Sequence, residues 1–127
     1  MSDHNNDIGE QASHIASLAL SYARTDNDEI LVYIEAEAGM TDLSIFQRLG
    51  DDIVWVEPEI PFSTAVMDFW YSAPDDSKWA GFLMIIQDGE FDLEFFYPDS
   101  LDNEQSSQER RQLVLTERYG DLPVHYN

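Results

Sequence analysis

The sequence predicts an α+β domain in which an antiparallel sheet of about five strands packs against helices. The dipeptide Asp88-Gly89 joins two apolar segments and is the strongest short-range signal for a β-hairpin. Other turn sequences separate β-branched segments nearer the N-terminus, and apolar residues at helical spacing flank and interrupt them. The predicted order is α-β-β-β-α-β-β-α in a single domain of residues 1–127, with residues 1–7 flexible.

The first half of the chain is predicted to form a helix and three successive strands. The helix, residues 8–24, places its apolar side chains on one face, and residues 25–29 form a loop rich in Asx residues. The strands are rich in β-branched residues and are separated by glycine-containing turns. They span residues 29–37, 41–49 and 53–57.

The second half begins with a short helix, because apolar residues recur at i, i+4, i+7 and i+8 after two prolines that end the extended segments. These residues are Phe62, Val66, Phe69 and Trp70. The two strands of the hairpin follow, at residues 79–87 and 90–97. Their two-residue turn fixes the register of the pair.

The last predicted element is a helix that ends at Gly120. Asp102 or Asn103 is its expected N-cap, and it runs to about Tyr119. Its apolar residues are unevenly distributed, so a strand at residues 112–117 is the alternative.

Side chains alternate along each strand, so the register of the hairpin predicts which residues share a face. One face is apolar throughout and is expected to be the core. The opposite face combines Glu90, Asp92 and Glu94 with Leu83 and Ile85. Trp79 is expected further along this mixed face, and the first strand contributes Tyr33, Glu35 and Glu37 to it.

Large apolar residues among charges of one sign are typical of a surface that binds a cationic partner. The alternative is that a terminal helix covers Leu83, Ile85 and Trp79 and leaves the carboxylates at its margin. The pattern alone does not decide between the two interpretations.

The net charge of −20, from 26 acidic and 6 basic residues, excludes several classes of function. Binding to a phosphate backbone or to an anionic membrane needs clustered Lys and Arg. No segment is long and apolar enough to span a membrane, and the N-terminal residues lack the pattern of a signal peptide. A cytoplasmic protein is therefore expected. The lack of cysteine excludes disulfides and thiol catalysis.

No catalytic, cofactor-binding or metal-binding residue is predicted. The histidines His4, His14 and His125 are not spaced as zinc ligands, and the glycine-rich motifs of phosphate-binding loops are absent. Carboxylate pairs such as Asp92 and Glu94 could hold a metal ion, but a chain this acidic contains such pairs without a function for them. A carboxylate metalloenzyme is kept as the last alternative.

Two segments suggest a family when they are combined with the element order and the acidity. They are WAGFLMIIQDGEFDLEFFY at residues 79–97 and ERYG at residues 117–120. In these features the chain resembles the YezG-like immunity proteins, the antitoxins of bacterial polymorphic and contact-dependent toxin systems. The resemblance covers the layout of residues 8–120 and implies a tight, stoichiometric inhibitor of a co-encoded toxin domain, often a nuclease.

The expected partner is thus a cognate basic toxin domain, with no direct binding of nucleic acid, no membrane association and no cofactor. The protein itself is expected to be a monomer or a weak dimer. The predicted partner-binding residues are Tyr33, Glu35, Glu37, Trp79, Leu83, Glu90, Asp92 and Glu94. Two alternatives stay open: a nucleic-acid mimic that inhibits a DNA-binding protein, and a domain whose acidity is an adaptation to salt.

Overall fold

The structure, a computed structural model, describes residues 4–23, 29–101 and 104–126, and the side chains from residue 8 onward within the first range. Three helices pack against a six-stranded sheet, which confirms the predicted α+β class. The helices are α1 (His4–Tyr22), α2 (Ile60–Ser72) and α3 (Ser107–Tyr119). The strands are β1 (Glu29–Glu37), β2 (Met40–Leu49), β3 (Asp52–Val56), β4 (Gly81–Gln87), β5 (Glu90–Phe96) and β6 (Val124–His125).

The strands lie in the order β5-β4-β1-β2-β3-β6, so β1 is central and β5 is at one edge. Neighbouring strands are antiparallel except β3 and β6, which are parallel. The sheet is therefore mixed and has one strand more than the sequence predicts. The extra strand, β6, has only two residues, which is too short for a recognisable strand pattern.

The β4–β5 hairpin has the predicted register. Gln87 pairs with Glu90 across the turn, and Asp88 and Gly89 have φ angles of 54° and 78°. Positive φ at both positions is the requirement of a type I′ turn, which matches the right-handed twist of the flanking strands. Alternation then places Phe91, Leu93 and Phe95 on the opposite face from the carboxylates between them.

One face of the sheet forms the larger core with α1 and α2. Its β1 residues Ile30, Val32 and Ile34 are fully buried, as are Phe62 and Val66 of α2. The half-buried residues Phe91, Leu93 and Phe95 of β5 pack at its border. This is the apolar face that the hairpin register predicts.

The opposite face is covered by α3 and forms a second, smaller core. Leu115 and Tyr119 of the helix are buried together with Leu31, Tyr33 and Phe46 of β1 and β2. A helix at Ser107–Tyr119 shows that the alternative of a strand at residues 112–117 was wrong. Because of α3, β1 is buried on both faces of the sheet.

Several predicted boundaries differ from the observed ones. Helix α1 begins at His4, so residues 4–7, expected to be flexible, are helical, while residues 1–3 lie outside the described range. The proposed caps Asp102 and Asn103 also lie outside it, as does the predicted loop at residues 25–28. The N-cap of α3 is Ser106, whose side chain accepts from the backbone N–H of Glu109 at 3.1 Å.

Within the described part of the chain, none of the helices is long and apolar enough to cross a membrane.

Gly81, at the start of β4, lies against the backbone of β1. A Cβ atom at this position would overlap the carbonyl oxygen of Ile34. We expect Gly81→Ala to lower the free energy of unfolding by about 1–3 kcal/mol, the usual cost of overpacking a core. Urea denaturation measures the change.

The control is Gly9→Ala in α1, where nothing lies within 4 Å of the added atom. This substitution should stabilise the protein by about 0.5–1 kcal/mol through helix propensity. Equal stability of Gly81→Ala and the wild type would show that β4 can move away from β1 without cost.

Candidate functional site

Helix α3 determines which part of the mixed face is accessible. It begins with a capping box, in which Ser106 and Glu109 each bond the other's backbone N–H. One side of the helix carries Arg110, Leu115 and Arg118 toward the sheet. Only Leu115 and Tyr119 of the helix are buried, so the helix is held to the sheet by polar contacts as well as by burial.

Arg110 fastens the first half of α3 to β1. Its Nη2 lies 2.6 Å from Oε1 of Glu35, and its Nε donates to Oε2 of the same carboxylate at 2.8 Å. The Tyr33 hydroxyl donates to the same Oε2 at 2.6 Å. The exposed fractions of the Arg110 and Glu35 side chains are only 17% and 11%. Such a two-point pair combines strength with a fixed geometry.

Arg118 repeats this arrangement near the end of α3. Its Nε and Nη2 each donate to a different oxygen of Glu29 at 2.7 Å. The Tyr119 hydroxyl donates to Oε2 of Glu29, also at 2.7 Å. The two ends of α3 are therefore tied to the two ends of β1.

The ion pairs shift the pKa values of all the groups that they contain. Hydrogen bonds from Arg118 hold the pKa of Glu29 below its usual range, against the effect of burial. Burial alone would raise the pKa of Glu35, but the bonds from Arg110 and Tyr33 outweigh it, and that pKa is also lowered. Burial and the adjacent carboxylates raise the pKa of both tyrosines, Tyr33 and Tyr119. At neutral pH the carboxylates are charged and the phenols protonated.

Arg111, between these pairs, is held by aromatic rings. Its guanidinium lies 5.8–5.9 Å from the ring centroids of Phe46, Trp55 and Tyr126. One of its nitrogens donates to Oγ of Ser44 at 3.2 Å. The contact is a cation–π arrangement, which fixes α3 against β2 and β3.

The other described cations are also used inside the molecule. Lys78 donates to the carbonyls of Trp70 and Ala73 at 3.0 and 2.8 Å, where α2 leaves carbonyls without helical partners. Nε of Arg48 donates to the Gly50 carbonyl at 2.9 Å. Each lysine and arginine side chain in the described ranges thus makes a contact within the molecule.

The carboxylates are distributed in the opposite way. Apart from Glu29, Glu35 and Asp42, each one whose side chain the structure describes is exposed. Asp42 is half-buried and accepts from the Ser107 hydroxyl in the first turn of α3 at 2.5 Å. The described lysine and arginine side chains therefore contact groups of the fold, whereas most of the described carboxylates are exposed to solvent.

Three of the exposed carboxylates, Glu90, Asp92 and Glu94, form a row on β5 that we call the acidic strip. Successive members are about 7 Å apart, since two residues of a strand separate them. The strip lies beside β4, where Asp92 pairs with Ile85 and Glu94 with Leu83. Both apolar neighbours are half-buried at the border of the α3 core. Two members of the strip, Glu90 and Asp92, border a depression of about 490 Å³ that also contacts Ile85 and reaches Arg118.

The structure divides seven of the eight predicted partner-binding residues into three groups, and Trp79 lies apart from all of them. Glu90, Asp92 and Glu94 are exposed together in the strip, with Leu83 half-buried beside them. Tyr33 and Glu35 lie beneath α3, with only 3% and 9% of their surface exposed. Glu37 is exposed but borders a different depression, of about 470 Å³, between the β1–β2 turn and the start of α3.

The expected position of Trp79 on the mixed face was wrong. Trp79 is buried in the larger core, on the opposite side of the sheet, against Phe69, Phe82 and Phe95. Strand β4 begins only at Gly81, so the alternation of side chains does not extend back to residue 79. The alternative interpretation describes Leu83 and Ile85 correctly: the C-terminal helix borders them and the carboxylates lie at its margin.

The sequence reasoning missed Glu29, Arg110 and Arg118 as a group. Two arginines eight residues apart lie on one helix face, and Glu29 and Glu35 lie on one strand face. The helical period of the arginines and the strand alternation of the glutamates are the sequence signals that could have suggested these ion pairs. No group of three or more His, Asp or Glu side chains is placed to hold a metal ion among the described residues.

Compared with known proteins, the chain matches no family model, and no curated protein is significantly similar to it in sequence.

The Arg110–Glu35 pair should be important for stability because most of it is buried. We expect Arg110→Met to lower the free energy of unfolding by about 3 kcal/mol, since it leaves the Glu35 charge without its partner. Adding Glu35→Gln should restore part of the loss, giving a coupling of about 1–3 kcal/mol. A double-mutant cycle in urea measures both.

The control is Gln108→Met, an exposed position on the same helix, which should change stability by less than about 0.5 kcal/mol. Additive effects of Arg110→Met and Glu35→Gln would contradict an energetic connection between helix and strand.

The same pair predicts a pH dependence. The pKa of Glu35 is lowered by folding from an ordinary value of 4.5, so its charge stabilises the protein above that pH. The stabilisation is lost as the pH falls through the folded pKa. The stability difference between the wild type and Glu35→Gln should therefore be constant near neutral pH and shrink below about pH 4.5.

Urea midpoints measured from about pH 7 to about pH 3 test this. Glu94→Gln, in the exposed strip, controls for the removal of one charge. A stability difference that grows as the pH falls would mean that burial, and not the arginine, determines the protonation of Glu35.

Proposed function

We propose that this protein is an immunity protein that binds a basic toxin domain through the acidic strip and blocks it. One observation carries the proposal. The described cations are bound internally, whereas Glu90, Asp92 and Glu94 are exposed in a row next to half-buried Leu83 and Ile85. Carboxylates that rim an apolar patch are the expected complement of a cationic surface.

A nuclease is the favoured kind of toxin. Its active site must hold phosphates, so its surface is basic where the substrate binds, and an acidic protein can occupy that surface. The net charge of −20 would also steer the encounter. Charge complementarity can raise association rate constants to about 10⁸–10⁹ M⁻¹s⁻¹ at low salt. Fast association is useful for an inhibitor of an enzyme that is harmful in small amounts.

The resemblance of the hairpin segment and the element order to YezG-like immunity proteins supports the same proposal. The structure changes the set of residues that we assign to it. Tyr33, Glu35 and Trp79 are buried, so we propose that the contact is made by Leu83, Glu90, Asp92 and Glu94, with Ile85 beside them. Glu37 lies beyond the proposed contact, near the start of α3.

We expect that the domain encoded next to this chain is basic, kills cells when it is expressed alone and is neutralised by co-expression of this protein. The double variant Asp92→Lys/Glu94→Lys should fail to protect the cells. It should also associate with the purified domain about ten-fold or more slowly at low salt, because it reverses the charge where the partner docks. Survival counts and stopped-flow kinetics measure the two effects.

The matched control is Asp68→Lys/Asp121→Lys, which changes the net charge by the same amount at two exposed positions elsewhere. It should protect the cells and keep most of the association rate. If both double variants behaved alike, net charge and not the acidic strip would determine binding.

Two other outcomes would replace the proposal. A protein that competes with DNA for several unrelated basic proteins would be a nucleic-acid mimic. A protein that unfolds when molar salt is removed would be a salt-adapted domain whose acidity serves its solubility.

A further inference from the structure

We infer that the free edge of β5 accepts an extended segment of the partner as a seventh strand of the sheet. This inference rests on the proposed function, because it specifies how a basic partner would use the acidic strip. The partner segment should alternate basic and apolar residues.

The backbone of β5 is hydrogen-bonded on one side only. Strand β4 is its single neighbour in the sheet, and no other part of the described chain bonds to its outer edge. Glu90 faces Gln87 directly across the two-residue turn, which makes them a hydrogen-bonded pair. Alternation then turns the N–H and C=O groups of Phe91, Leu93 and Phe95 outward. Unpaired groups of this kind are a template for another strand.

The common protections of an edge strand are missing from β5. Its seven residues contain no proline and no lysine, and the register with β4 runs over the whole strand without a skipped residue. Its protection is instead a row of negative charges, which repels only some partners. An edge guarded in this way is open to a strand that carries the opposite charge.

The side chains of β5 define what such a strand would carry. Residues that lie opposite each other in neighbouring strands share a face of the sheet. On one face, the added side chains would lie next to Glu90, Asp92 and Glu94, where lysine or arginine is favoured. On the other, they would lie next to the half-buried Phe91, Leu93 and Phe95, where apolar residues are favoured. The complement is a strand of alternating basic and apolar residues.

A second copy of this chain does not fit the same edge. Two β5 strands paired with each other would bring their acidic strips side by side on one face. Like charges directly opposite one another destabilise a strand pair. Charge complementarity therefore selects a basic segment of a different protein, a mode of recognition in which main-chain bonds give affinity and alternate side chains give specificity.

The test uses the full chain labelled with ¹⁵N and a peptide probe of alternating lysine and valine residues, about eight residues long. The peptide should bind at low salt and slow amide exchange at Phe91, Leu93 and Phe95 by about ten-fold or more, because new hydrogen bonds protect these groups. Asp92→Lys/Glu94→Lys should abolish binding, and Asp68→Lys/Asp121→Lys should retain it.

Two methylated versions of the probe separate strand addition from simple charge attraction. One carries N-methyl groups on every valine and the other on every lysine, and both keep the charge of the parent peptide. In an antiparallel added strand, the valines opposite Phe91, Leu93 and Phe95 direct their N–H groups at β5. In a parallel added strand, the lysines on either side of those valines direct their N–H groups at β5 instead. One version should bind about ten-fold or more weakly, since it loses several main-chain bonds, and the other should bind like the parent.

The outcomes distinguish this inference from the proposed function. If all three peptides bind equally well and no β5 amide is protected, strand addition is wrong, although the acidic strip still binds basic ligands. If none of them binds at low salt, the acidic strip is not a binding surface and the proposed function fails with the inference. A dimer formed through β5 at neutral pH would also overturn the argument from charge.

Discussion

Two arginine–glutamate pairs fasten α3 to β1, and the arrangement of the whole mixed face depends on them. Arg110 and Arg118 each hold a carboxylate at two points, and a tyrosine completes each cluster. The helix has few apolar residues, so burial alone would hold it weakly. With α3 docked, Tyr33 and Glu35 become parts of the interior, and the carboxylates predicted on the mixed face that stay exposed are Glu37 and the acidic strip on the edge strand β5.

The use of the few cations explains how a chain with a net charge of −20 can fold. Self-repulsion destabilises a compact state, and it is worst where carboxylates are buried. Among the carboxylates whose side chains the structure describes, Glu29 and Glu35 are the two that are buried, and both pair with an arginine. Of the remaining described cations, Lys78 binds carbonyls at the C-terminus of α2 and Arg48 binds a carbonyl in the turn after β2. Arg111 holds α3 against aromatic rings. The described lysine and arginine side chains thus contact buried carboxylates, carbonyls and aromatic rings, and the net charge of the surface stays negative.

Features that depend on neighbours in the sequence could be predicted. Asp88-Gly89 gave the hairpin and its register, since a type I′ turn needs positive φ at both residues. The bond between Arg110 and Glu35 joins residues 75 positions apart, so the helix and strand periodicities indicate which faces carry the two residues but not that they meet. Trp79 was misplaced because alternation holds only inside a strand, and its strand starts at Gly81. The acidic strip was found because its residues lie within the hairpin.

The central position of β1 links the two cores to each other. Leu31 and Tyr33 point into the smaller core beneath α3, and Ile30 and Val32 point into the larger core beneath α1 and α2. Both edges of β1 are hydrogen-bonded to neighbouring strands. Neither core can lose this strand without exposing the other to water. The two sides of the sheet should therefore unfold together in one cooperative transition, with β1 as the last part to open. Loss of one helix should therefore also destabilise the core on the opposite face of the sheet, which that helix does not contact.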